Sequence, residues 1–102
     1  MEILTKKLDD FVEIVCKGSI TTHEQTLEFK KTLHKNFNVY SSSKIKIIFE
    51  DCYSLPSSVI GAILELKEIE KADIEVVVDK DELYSALKKL TLIEILNVSK
   101  NT

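Results

Sequence analysis

Apolar positions along the chain fall into short runs whose spacing switches between two residues and three to four residues. Ile3-Leu4 and residues 11–16 read as two strands, with Leu8-Asp9-Asp10 as the turn between them. Within the second run Val12, Ile14 and Cys16 alternate with Glu13 and Lys17, the period of a strand with one wetter face, and Gly18 stops it. Two runs this close predict an antiparallel hairpin. Thr22 and Gln25 then fit a capping box, with Thr21 and Glu24 offering the same signal one residue earlier. Leu27, Lys30, Leu33 and Phe37 follow at three- and four-residue steps, a narrow stripe that Phe29 widens, so a helix is expected there. Asn36 and Asn38 weaken its end, and Ser41-Ser42-Ser43 reads as a loop.

Ile45-Lys46-Ile47-Ile48-Phe49 is a compact β-branched run of strand length, and its continuity predicts a central strand buried on both faces. A second helix is expected after Pro56, with Val59, Ile60, Ile63, Leu64 and Lys67 on one face. Residues 74–78 read as another buried strand. A third helix from about Asp81 carries Leu83, Leu87 and Leu90, with its acidic start and Lys88-Lys89 suiting the helix dipole. For residues 93–98 the pattern leaves a short strand and a helical turn both open. The order ββαβαβα, with or without a last strand, predicts an α/β fold. Its parts are a single mixed β-sheet, an antiparallel N-terminal hairpin, parallel right-handed βαβ units, and helices packed on the faces of the sheet.

Composition narrows the class without naming a function. The 102 residues make one domain, residues 1–102, and 44% hydrophobic against 30% charged is the balance of a folded chain. A net charge of −3 argues against general nucleic-acid binding. No apolar run approaches the ~20 residues a membrane span needs, and Met1 opens no basic-then-apolar leader, so a cytoplasmic location is expected. Cys16 and Cys52 lack metal-site spacing and are expected as reduced, partly buried thiols, and with His23 and His34 they do not make a metal site. No cofactor is implied.

The segment that carries chemistry begins as the third strand ends: Ile48-Phe49-Glu50-Asp51-Cys52-Tyr53-Ser54-Leu55-Pro56-Ser57-Ser58-Val59-Ile60-Gly61-Ala62-Ile63-Leu64. It resembles the signature of the STAS domain, the family of anti-sigma-factor antagonists: a buried strand, an Asp-containing loop, then Asp-Ser-Ser-Gly-Leu-Gly opening a helix. Ser57, Ser58 and Gly61 fall in register, and Gly18-Ser19-Ile20 resembles the family's Gly-x-Leu-Asp turn before the first helix. Pro56 stands where the family has Asp and Val59 where it has the first Gly. The resemblance extends over nearly the whole chain through element order and spacing. It implies a non-enzymatic protein-interaction module whose partner is a serine kinase that doubles as an anti-sigma factor. It also implies Ser57 as the phosphoacceptor. The same family includes a cytoplasmic subunit that packs on the ATPase of a lipid transporter, a reading in which the loop docks without phosphorylation.

The residues bear on these expectations independently. A phosphate on Ser57 would lie in the positive field of a helix start and accept its unpartnered N–H groups, while its charge of about −1.5 to −2 would repel an apolar or acidic partner surface. The alternative role for Ser57 and Ser58 is that of helix-start residues beside a proline. Asp51, Tyr53, Pro56, Ser58, Val59 and Ile60 complete the expected partner-binding set. Asp51 also suits turn chemistry, and Tyr53 also suits packing. Gly18 and Gly61 do not make a phosphate-cradling loop, His34 reads as a solvated helix residue, and no catalytic triad has local support. Nothing in the pattern points to an enzyme.

Overall fold

The computed structural model describes residues 1–40 and 43–101. The chain runs β1 (Glu2–Lys7), β2 (Phe11–Lys17), α1 (His23–Val39), β3 (Lys44–Glu50), α2 (Ser57–Glu68), β4 (Ile74–Val78), α3 (Asp81–Lys89) and β5 (Val98–Lys100). It is an α/β fold with one five-stranded sheet in the order β1-β2-β3-β4-β5. β1 pairs antiparallel with β2, and the remaining neighbours are parallel. The expected loop at 41–43 has Ser41 and Ser42 outside the described residues. Residues 93–97 are turn and β5 starts at Val98, so the two readings of that segment share it between them.

Local chemistry accounts for several boundaries. Leu8 N–H donates to Phe11 O at 2.8 Å and closes the hairpin. Gly18 takes φ +90°, a conformation that a residue with a Cβ adopts only under strain, and its N–H reaches Glu50 O at 2.9 Å. The capping box forms as the sequence predicts. Thr22 Oγ1 accepts from Gln25 N–H at 3.1 Å, and Gln25 Oε1 accepts from Thr22 N–H at 3.2 Å.

All three helices contribute to one core on one face of the sheet. Val12, Ile14, Cys16, Ile45, Ile47, Phe49, Ile74, Val76, Val78 and Val98 meet Phe29 and Leu33 of α1, Val59, Ile63 and Leu66 of α2, and Leu83 and Leu87 of α3. Phe29 and Phe49 stack obliquely with centroids 5.8 Å apart. Val15, Ile48 and Val77 point to the other face and take no part in this core. Each crossover from β2 to β5 steps to the next strand in the same direction, and right-handed crossovers that never reverse put every helix on the same side. The helices therefore cover one face, not both as expected from the pattern. For the same reason β3 is central in the sheet yet buried on one side only: Ile45, Ile47 and Phe49 are buried, whereas Lys44, Lys46, Ile48 and Glu50 are half-buried.

The stripe of α1 also differs from the expectation. Thr26, Phe29, Leu33 and Asn36 are its buried residues, and Leu27 is exposed. Asn36 does not weaken the helix end; its Nδ2 donates to Thr32 O at 2.8 Å, which lets it be buried inside a helix that continues to Val39. In α3, Leu83 and Leu87 are buried and Leu90 is exposed at the C-cap. No helix among the described residues is long and apolar enough to cross a membrane.

Candidate functional site: the loop between β3 and α2

Parallel pairing of β3 with β4 brings the ends of both strands together, Phe49 opposite Val78. The chain leaves β3 at Asp51, which adopts φ +53°, a left-handed conformation that Asp tolerates better than most residues. Asp51 N–H lies 3.0 Å from both carboxylate oxygens of Asp79, the first residue past β4. Cys52 then drops into the core, and its Sγ donates to Ser54 O at 3.2 Å, which fixes the loop from below.

Above this anchor the side chains are exposed. Tyr53 is 46% accessible, with Lys80 Nζ 5.3 Å from its ring centroid. Lys80 also lies 3.7 Å from Asp51 Oδ1. Attraction to Tyr53 above all, with Asp79 and Asp51 adding to it against a cost of desolvation, raises the Lys80 ammonium above its ordinary 10.5, so it is cationic at neutral pH. Asp79 and Lys80 were outside the residues expected from sequence. The parallel register of β3 and β4 was the signal that could have found them, because it sets residues that follow neighbouring strands side by side.

Pro56 is the N-cap of α2, with φ −61° and ψ 147°, and no side chain caps this end. Pro56 O accepts from Val59 N–H at 3.0 Å and from Ile60 N–H at 3.3 Å. Ser57 and Ser58 are consequently the first two helical residues, both exposed, with backbone N–H groups that precede the first intrahelical bond. Because Pro56 holds the N-cap place, Ser57 is not the capping residue.

Asp51, Tyr53, Ser57 and Ser58 are all exposed, and Pro56 is half-buried. Val59 is different. It is fully buried in the core cluster, because the first turn of α2 must present one residue inward, so it lies beneath the exposed surface and not on it. Ile60 is half-buried and packs against the same core.

Both thiols are free and buried. Burial, then the neighbouring Cys52 and Glu28, pushes Cys16 up to about 12. Burial likewise raises Cys52 above its ordinary 9.0, against a smaller opposing influence of the backbone at Ser54 and Ile20. Neither is a nucleophile at neutral pH. Among the described residues no group of three or more His, Cys, Asp or Glu side chains is placed to hold a metal ion. In comparisons with known proteins, no family model and no curated sequence matches the chain.

Proposed function

We propose that the chain is a non-enzymatic protein-interaction module that resembles an anti-sigma factor antagonist and binds its partner through the 51–58 surface. The partner is a serine kinase or anti-sigma factor, and phosphate on Ser57 releases it. One observation carries this reading: Ser57 is exposed at the first position of a 12-residue helix whose N-cap supplies no side-chain hydrogen bond. The open amides and the helix field stabilise a phosphate there without disturbing the fold. The rigid floor under the loop (Cys52 bonded to Ser54, Asp51 bonded to Asp79) supports the same reading, because a preorganised surface loses less entropy on binding. The thiols, protonated and buried, offer no competing nucleophile.

The test is affinity purification of the tagged chain from its native cells, with mass spectrometry of partners and of its own phosphosites. The expected result is a serine kinase partner and phosphate on Ser57, with Ser57→Asp losing the partner and Ser57→Ala retaining it. Binding that is unchanged by Ser57→Asp overturns the switch. Recovery of a transporter ATPase subunit with Ser57 unmodified would assign the surface to transport docking instead.

A further inference from the structure

The face of the sheet without helices carries an ordered arrangement of charge. Cross-strand partners point to the same side of a sheet, so the strand registers define rows running across the strands. One row is Glu2–Lys17–Glu50. The next is Leu4–Val15–Ile48–Val77, apolar throughout. The third is Lys6–Glu13–Lys46, continuing to Glu75. Each of the first three strands therefore contributes a triplet of charge, apolar residue and opposite charge: Glu2-Leu4-Lys6, Glu13-Val15-Lys17 and Lys46-Ile48-Glu50.

Alternation within a row stabilises a solvated sheet and needs no partner. The relation between the two charged rows is a separate matter. They stand four residues apart along each strand, about 13 Å, which exceeds the screening length of about 8 Å, so the monomer gains nothing from their relative phase. Yet the phase is inverted in all three columns. Among the described residues, none of Glu2, Lys6, Glu13, Lys17, Lys46 and Glu50 is in an ion pair. On β4 the order stops, since Glu75 pairs with Lys44 at 3.1 Å and Asp79 is held at Asp51 N–H.

We propose that this face is a homodimer interface, in which a second copy of the chain packs sheet to sheet about a two-fold axis running along the Leu4–Val15–Ile48 row. That operation keeps each strand over its own copy and exchanges the two charged rows. Glu2 meets Lys6 of the other copy, Lys17 meets Glu13, and Glu50 meets Lys46. On β1, β2 and β3 six ion pairs flank an apolar seam. At its edge the acidic Glu75 of β4 and Asp79 just past that strand are held by Lys44 and Asp51 N–H. Sheets about 10 Å apart leave room for Lys and Glu side chains to meet between them. An isologous contact requires such self-complementarity, and a two-fold is the commonest way to satisfy it. Leu4, 45% accessible as a monomer, is covered by its own copy. The area is of the order of a few hundred Å² on each copy, below the roughly 800 Å² per partner of a standard interface, so the dimer is weak and forms between about 10 µM and about 1 mM. This surface is on the opposite side of the sheet from the helices and does not depend on the Ser57 reading.

Sedimentation equilibrium of the full chain from about 1 µM to about 1 mM tests it, with circular dichroism checking that each variant is folded. Wild type is expected to move from monomer to dimer across this range and to associate more weakly as salt rises. Leu4→Lys, a change at an exposed edge position, and Glu13→Lys should each weaken association at least tenfold by setting like charges across the axis. Adding Lys17→Glu to Glu13→Lys makes one row basic and the other acidic across the first three strands. That arrangement is poorer within one chain but still matched between copies, and it should restore association to within about threefold of wild type. A chain that stays monomeric up to 1 mM overturns the proposal. So does a dimer indifferent to Leu4→Lys, or a double variant as weak as Glu13→Lys alone.

Discussion

Burial above all, with Cys52 and Glu28 adding to it, holds the Cys16 thiol at about 12 in the native protein, against an ordinary 9.0. In the unfolded chain the thiol ionises near that ordinary value, so between the two the native state keeps a proton that the unfolded state has lost. Stability from this source is fully present below about pH 9 and is lost as pH rises toward 12, at about 1.4 kcal/mol per pH unit. Cys52, raised in the same direction, adds to the slope. Urea unfolding at pH 8 and at pH 10.5 under reducing conditions measures this effect. Cys16→Ala is expected to lower stability at pH 8 yet lose less of it on going to pH 10.5, with the difference close to one proton. An unchanged slope would place the alkaline sensitivity elsewhere. The same burial that makes Cys52 inert makes it useful, since its bond to Ser54 O fixes the loop that exposes Tyr53.

Two helices begin in different ways. At the start of α1, Gln25 Oε1 accepts from both Thr21 N–H and Thr22 N–H while Thr22 Oγ1 accepts from Gln25 N–H, so several end donors are satisfied by neighbouring side chains. Thr22→Ala removes the acceptor and should cost about 1 kcal/mol, a fall of roughly 4–8 °C in Tm for a chain of this size. Thr22→Ser, which keeps the oxygen, should stay close to wild type in the same thermal scan. At the start of α2 no side chain caps the end, and the N–H groups of Ser57 and Ser58 remain open. This contrast was half legible in the sequence. The capping box could be read because both of its partners lie within four residues. The stripe of α1 could not, because Phe29 and Leu33 fit two neighbouring phases. Only the packed core chooses the one containing Thr26 and Asn36, where Asn36 is buried because its Nδ2 donates to Thr32 O. At the loop, Ser57 and Tyr53 could be placed from local pattern. The Asp51–Asp79 bond and the Lys80–Tyr53 contact join residues 27 or more apart in sequence and follow from the β3–β4 register alone.

At the scale of the whole molecule, the direction of the crossovers decides which residues of a strand are inside. Element order and the extents of β2, β3 and β4 could be read from hydrophobic spacing, since each is a local property. For β1 that spacing marks only Ile3-Leu4, whereas the strand runs over Glu2–Lys7, because its outer residues are exposed and polar. The side taken by each helix depends on the strand order, and a run such as Ile47-Ile48 looks equally apolar whether one face or both are covered. In the structure Ile47 lies in the single core and is fully buried, while Ile48 stands beside it on the open face and is half-buried. Truncating Ile47 leaves a cavity lined by groups from the helices and the sheet, whereas truncating Ile48 removes only part of a contact and leaves no cavity. Ile47→Ala is therefore expected to cost about 2–5 kcal/mol and Ile48→Ala about 1 kcal/mol. The comparison is made by urea unfolding at about 1 µM protein, below the range in which two copies would associate through Ile48. A sheet covered on both faces would make the two substitutions cost the same. Equal losses would therefore contradict the one-sided core. They would also leave Ile48 unavailable for a seam between two copies.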